Sequence, residues 1–248
     1  MQKRILEACV DSVESAIAAE RGGATRLELC SNLVIGGTTP GLSLYESVRK
    51  NTNIEINVLI RPRFGDFLYT DFEFDMILKD VERFRELGAD GVVVGCLLAD
   101  GGLDIERMKR LKDCTGTMNV TLHRAFDVCK DPFATLEQSK RLGIHTILTS
   151  GQQNTCYEGR GLIKQLLERA NGEMEILIGG GVNAEVIQKL RQEMEATCFH
   201  MSGKMILESG MIYRKEGVNM GIPGMSEYEI WRTSENEIEK AKQALWNR

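Results

Sequence analysis

No apolar run in this sequence approaches the ~18–20 residues that span a bilayer. The first residues, MQKRILEACVDSVE, interrupt any apolar stretch with Glu7, Asp11 and Glu14, whereas a secretory leader needs ~7–15 uninterrupted apolar residues. Basic charge is not in surplus: 31 Lys and Arg stand against 36 Asp and Glu, a net charge of −5. Without a global positive field, a general nucleic-acid binder is excluded. The seven cysteines are odd in number, dispersed, and include no C-x-x-C pair; in a chain of this length they read as reduced thiols, most of them small buried hydrophobes. No G-x-G-x-x-G follows the first β-rich run, which removes the usual dinucleotide-binding fold. There is no linker or low-complexity tract, and 42% hydrophobic with 27% charged residues excludes disorder. The expectation is a soluble cytoplasmic protein with no nucleic-acid or membrane partner.

What is present is a beat. Eight short β-rich runs, at 4–10, 26–30, 56–61, 91–95, 119–124, 146–150, 175–179 and 198–202, recur at the spacing of a βα unit. Runs such as VLI, GVVVG, TILTS and EILIG are apolar at consecutive positions, the pattern of parallel strands covered on both faces. Helical patterns lie between them, and one phrase repeats where helix gives way to strand: ERGGATRLEL, ELGADGVVVG, RLGIHTILTS. In each a glycine stands where the helix stops in a left-handed turn. Within 248 residues, eight such units predict an α/β protein that is a single (β/α)8 TIM barrel over 1–205. Residues 206–248 are expected as a tail and an extra helix packed on the same domain, the tail wrapping the barrel or covering its mouth. An open doubly wound sheet is the weaker alternative.

In such a barrel the active face is the rim at the carboxyl ends of the strands. Charged or reactive residues collect there at nearly every strand: Glu7 and Cys9, Glu28 and Cys30, Arg61 and Arg63, Cys96, His123 and Arg124 with Asp127, Ser150, Gly180 and Gly181, His200 and Ser202. Alternation puts Glu7 and Cys9 on one face of their strand and Glu28 and Cys30 on one face of the next, so two carboxylates and two thiols line one wall of the interior. Buried carboxylates need partners, and Arg61, Arg63 and Arg124 are the candidates. The glycines after the seventh strand, with Ser150 and Ser202 and the three arginines, suggest a pocket for a small carboxylate or phosphate. His123 is a candidate base held by Asp127 or Glu28, and His200 a partner of Glu7 across the seam between strands 8 and 1. His145 falls at the opposite end and has no role. Cys114, Cys129, Cys156 and Cys198 fall in helix, loop or strand-start positions, where burial or chance exposure explains them.

Several strings occur together in order: EACVDS (7–12), ERGGATRLELC (20–30), GGTTPG (36–41), IRPRFGDF (60–67), GADGVVVG (88–95), HRAFD (123–127), LTSGQ (148–152) and GGGV (179–182). On these the chain resembles the CutC family, named for copper homeostasis. The resemblance implies a TIM barrel in the cytoplasm that binds copper, as Cu(I), through Cys9 and Cys30; thiolates suit that soft ion. Ala8, Phe64 and Met201 depart from the family's usual residues; Phe64 is expected to narrow the mouth. The arginines and the glycine cradle are poor company for a bare cation. They fit an enzyme acting on a small anionic metabolite, with Glu7, Glu28, His123 and Asp127 as acid–base residues. A redox-active dithiol at Cys9 and Cys30 is a third reading, and a homo-oligomer is compatible with all three.

Overall fold

A computed structural model describes residues 4–247. All eight expected strands form: β1 Ile5–Val10, β2 Arg26–Leu29, β3 Glu55–Leu59, β4 Gly91–Val94, β5 Asn119–Leu122, β6 Thr146–Thr149, β7 Glu175–Ile178 and β8 Cys198–Met201. They pair in chain order, all parallel, and close into a barrel where β8 meets β1 with Glu7 beside His200. The helices α1 Val13–Gly22, α2 Leu42–Asn51, α3 Asp71–Glu86, α4 Ile105–Cys114, α5 Pro132–Arg141, α6 Arg160–Ala170 and α7 Ala184–Glu193 cover the outside. The architecture is therefore the (β/α)8 barrel.

Alternation along the strands divides the core in two. Leu6, Ala8 and Val10 of β1, Leu27 and Leu29 of β2, and Ile56 and Val58 of β3 point outward into the continuous apolar layer beneath the helices. Inward-facing residues form small apolar clusters, Ile5 with Leu148, Leu177 and Cys198, and Cys9 with Cys30, Leu59 and Val93. Between them the interior is polar, with Glu7, Arg26, Glu28, Asn57 and Thr121 all buried.

Local signals set the helix ends. Asp131 accepts from the N–H groups of Phe133 and Ala134 ahead of Pro132, a cap followed by a residue whose missing N–H costs nothing there. Gly23 ends α1 in the left-handed region at φ 89°, as the repeated phrase requires.

After β8 the chain continues as an antiparallel arm, β9 Lys204–Glu208 paired with β10 Glu229–Thr233, with β10 in contact with α1. Thr233 anchors its base: its N–H donates to Ser15 Oγ (3.1 Å) and its hydroxyl to the Ser202 carbonyl (3.0 Å). The final helix is α8 Glu235–Trp246. It packs between α7 and α1 and so completes the ring of eight. The arm carries exposed apolar side chains, among them Ile206, Met211, Ile212, Tyr213 and Met220.

Candidate functional site

The polar layer inside the barrel has Glu7 at its centre. This carboxylate is fully buried; Oε2 accepts from Arg26 Nε at 2.5 Å and Oε1 pairs with His200 Nδ1 at 2.8 Å. Burial alone would raise its pKa, but the charge of Arg26 and the hydrogen bonds from His200 and Arg26 outweigh it and hold the carboxyl down at about 2. The pairing of Glu7 with His200 across the seam is as expected from strand register. The arginine is not one of the three expected. Arg26 stands two residues before Glu28 on the same inward face of β2, where it also reaches Glu175 (3.4 Å) and Glu55 (3.9 Å).

Above this layer lie the two thiols. Cys9 Sγ is 3.8 Å from Cys30 Sγ and 3.4 Å from Glu28 Oε1, so the wall of two carboxylates and two thiols is present. The donor atoms of Cys9, Glu28 and His200 lie within 4.8 Å of one another. The contact with Cys30, burial and the neighbouring Glu28 carboxyl push the Cys9 thiol well above its ordinary range. Cys30 is also raised: its contact with Cys9 lowers it, but burial and Glu28 outweigh that. Burial raises Glu28 against the charge of His200. For His200, burial opposes protonation, but the Glu28 carboxylate and contacts with Cys9 and Glu7 raise it well above 6.5.

This cluster forms the floor of a cavity of about 300 Å³ at the carboxyl ends of the strands, walled by Arg61, Phe67, His123, Gly180, Gly181 and Ser202, with Arg124 at the edge. Larger hollows of about 660 and 780 Å³ lie between α7 and α8 and at the opposite end of β7 and β8, away from these groups. The mouth is the better site because reactive residues from many strands meet there.

Several expected residues are elsewhere or otherwise engaged. Arg63 does not face the cavity; it is held by Glu73 (2.6 Å), Asp66 (2.9 Å) and three carbonyls while lying over the Tyr69 ring. Neither Asp127 nor Glu28 holds His123. Asp127 accepts from Arg124 Nε, the Thr149 hydroxyl, and the N–H groups of Ser150 and Gln152, so it ties the loops after β5 and β6 together. The Ser150 hydroxyl donates to the Gln153 carbonyl and meets Asp127 and Arg124, outside the cavity lining. Phe64 is 66% exposed and does not narrow the mouth; Phe67, three residues on, is the aromatic wall. Neither Phe67 nor Arg26 was singled out from sequence, although two-residue spacing from Glu28 marked Arg26. His145 accepts from the Val120 N–H at the far end, without a part in the site.

The chain as a whole is similar to known proteins. The model of the CutC family matches residues 4–205. A CutC family protein of Bacteroides fragilis is 48% identical over 92% of both chains. The human copper homeostasis protein cutC homolog is 43% identical over 94% of this chain and 86% of its own. The solved structure of a copper homeostasis protein CutC from Streptococcus agalactiae superposes with a TM-score of 0.76 at 33% identity, over 81% of this chain and 99% of that one. With matching strings, fold and full-length relatives in agreement, this chain belongs to the CutC family.

Proposed function

We propose that the protein binds a copper ion at the floor of the barrel mouth, through Cys9 with His200 and Glu28 and with Cys30 adjoining. The observation that carries this reading is the convergence of the Cys9, Glu28 and His200 donor atoms within 4.8 Å. A thiolate with an imidazole favours soft Cu(I) over harder cations, and the human relative carries a copper homeostasis name. The raised thiols mean that binding releases protons, so affinity is expected to climb with pH. Seven cysteines outside any disulfide suit a reducing compartment, which supports a cytoplasmic location.

An anaerobic titration of Cu(I) against a chromophoric chelator tests the assignment. One site per chain is expected. Cys9→Ser should weaken it by more than the roughly 10–100-fold that loss of an outer-shell partner costs. Binding indifferent to both Cys9→Ser and Cys30→Ser would remove copper from this site.

A second reading rests on one observation: Glu28 Oε2 is buried on the cavity lining with no hydrogen-bond partner among the described residues. A raised carboxyl facing a small pocket is what proton-transfer enzymes use, and the reading is of an enzyme acting on a small anionic metabolite. Glu28 and His200 carry the acid–base part in it. Glu7 sets the charge of His200, and Asp127 supports the loop that presents Arg124 and His123. Screening small carboxylates for turnover in wild type and Glu28→Gln tests it; turnover indifferent to that change would end it. Self-association, if present, would use the apolar arm, since monomers rarely expose such patches. Light scattering should then give a multiple of the chain mass that falls to the monomer in Ile212→Asp.

A further inference from the structure

Arg61 is an unusual cation. It is only 8% exposed, yet no carboxylate among the described residues pairs with it. Nη1 donates to the carbonyls of Gly36 and Gly37 (3.3 and 3.1 Å) and Nη2 to that of Gly65 (2.9 Å), while Nε has no partner. A guanidinium cannot shed its proton in a protein, and a buried charge without a counter-ion is costly. The carbonyls satisfy donors but supply no net negative charge.

His123 adds a second donor. The Ala125 N–H donates to its Nδ1 at 3.2 Å, so the proton of the neutral ring sits on Nε2. Nε2 is buried and has no partner among the described residues. Burial, then the nearby charge of Arg61, lowers this histidine to about 3, so near neutral pH the ring offers an uncharged N–H donor. Gly95 makes room for it, since a Cβ there would lie 2.6 Å from the ring. Phe67 holds both groups: the Arg61 guanidinium carbon is 5.1 Å from its ring centre, and the His123 ring 4.7 Å.

Both residues line the same cavity, and each keeps one buried donor without a partner among the described residues. We propose that the cavity binds a small planar carboxylate, whose oxygens accept from Arg61 Nε and His123 Nε2. The carboxylate would supply the missing counter-charge, and charge-assisted bonds of this kind are among the stronger ones. Two donors backed by one aromatic ring suit a planar group better than a tetrahedral phosphate. The remaining groups of the cavity argue against a bulky polyanion such as a phosphate ester. Arg124 is engaged by Asp127, His200 by Glu7, and Glu28 faces the same space. This inference deepens the second reading but needs only its ligand, not its turnover. It uses other donors than copper does: Cys9, Glu28 and His200 stand on β1, β2 and β8, while Arg61 and His123 follow β3 and β5.

The test is calorimetric titration of chelator-dialysed, metal-free protein with oxalate, and separately with inorganic phosphate. Oxalate is expected to bind saturably and more tightly than phosphate. Arg61→Lys and His123→Asn should each weaken it about 10-fold or more, the effect of one lost hydrogen bond to a charged group. Asn keeps an oxygen for the Ala125 N–H and lacks the distal donor, so its fold should survive if the Lys variant fails. Oxalate should bind the metal-free protein, while copper is read separately in the Cu(I) titration, so that failure of one assignment is distinguishable from failure of the other. No saturable binding at millimolar oxalate, affinity unchanged in both variants, or tighter binding of phosphate would each overturn the proposal.

Discussion

Replacing Arg26 by methionine is expected to lower stability by about 3–5 kcal/mol at pH 7, the usual result of removing one partner from a buried ion pair. Glu7 is fully buried and leans on that guanidinium at 2.5 Å. Without it, only His200 and desolvation remain, and desolvation raises the carboxyl. The pH dependence has a definite sign. In the wild type, Glu7 is depressed from 4.5 to about 2, so its contribution is complete above 4.5 and is lost as pH falls toward 2. In Arg26→Met the depression shrinks, the penalty being largest where Glu7 must stay ionised, so the gap to wild type should close on acidification. The double variant Glu7→Gln/Arg26→Met should recover most of the loss, because it leaves no unpaired charge. Urea unfolding at pH 7 and pH 4 measures all of this. A penalty below about 1 kcal/mol, as for exposed pairs, would mean that water reaches Glu7.

That arginine also marks how far the sequence could be read. Strand alternation placed Glu7, Cys9, Glu28 and Cys30 on one wall correctly because period two is a local property of the chain. The same rule, extended two residues back, puts Arg26 on that wall. Arginines at strand ends invite a reading as rim residues, but the start of β2 lies opposite the mouth, and Arg26 reaches Glu7 because β1 and β2 pair Glu7 with Arg26 directly. Arg61 and Arg63 illustrate the converse. Two residues apart, they differ in facing the cavity, and no periodicity applies once the strand ends at Leu59.

Loop contacts were the least legible part for the same reason. Asp127 follows His123 by one helical turn's spacing, which suggests a pair. The chain after His123 instead makes a short 3₁₀ turn at Arg124–Val128, with His123 as its cap. That turn directs Asp127 to the loop of β6 and occupies His123 Nδ1 with the Ala125 N–H. The arm inserted after β8 separates the eighth helix from its strand. Its capping pair, Ser234 and Glu237, was nevertheless visible, and the Ser234 hydroxyl accepts from the Glu237 N–H.

His123→Asn should make the protein more acid-resistant, and the size of that gain reports on the proposed donor. A histidine held at about 3 when folded and near 6.5 when unfolded leaves stability untouched above 6.5. Below that, the unfolded chain takes up a proton that the native ring refuses, and stability falls by about 1.4 kcal/mol per pH unit until the folded value is reached. The variant cannot titrate there, so its stability relative to wild type should rise by on the order of 3 kcal/mol between pH 8 and pH 4.5. Glu28, raised by burial, contributes with the opposite sign, and His200, raised by its acidic neighbours, loses its contribution at alkaline pH. Both remain in the variant and largely cancel in the difference, provided their own surroundings are unchanged. Urea midpoints at half-unit steps provide the curve. A flat difference would mean that the native ring accepts the proton, in which case Nε2 would be part of an imidazolium and the cavity would bind anions by charge. A difference that opens below pH 6.5 leaves His123 neutral with its proton on Nε2, and Arg61 as a buried cation for which a carboxylate supplies the counter-charge.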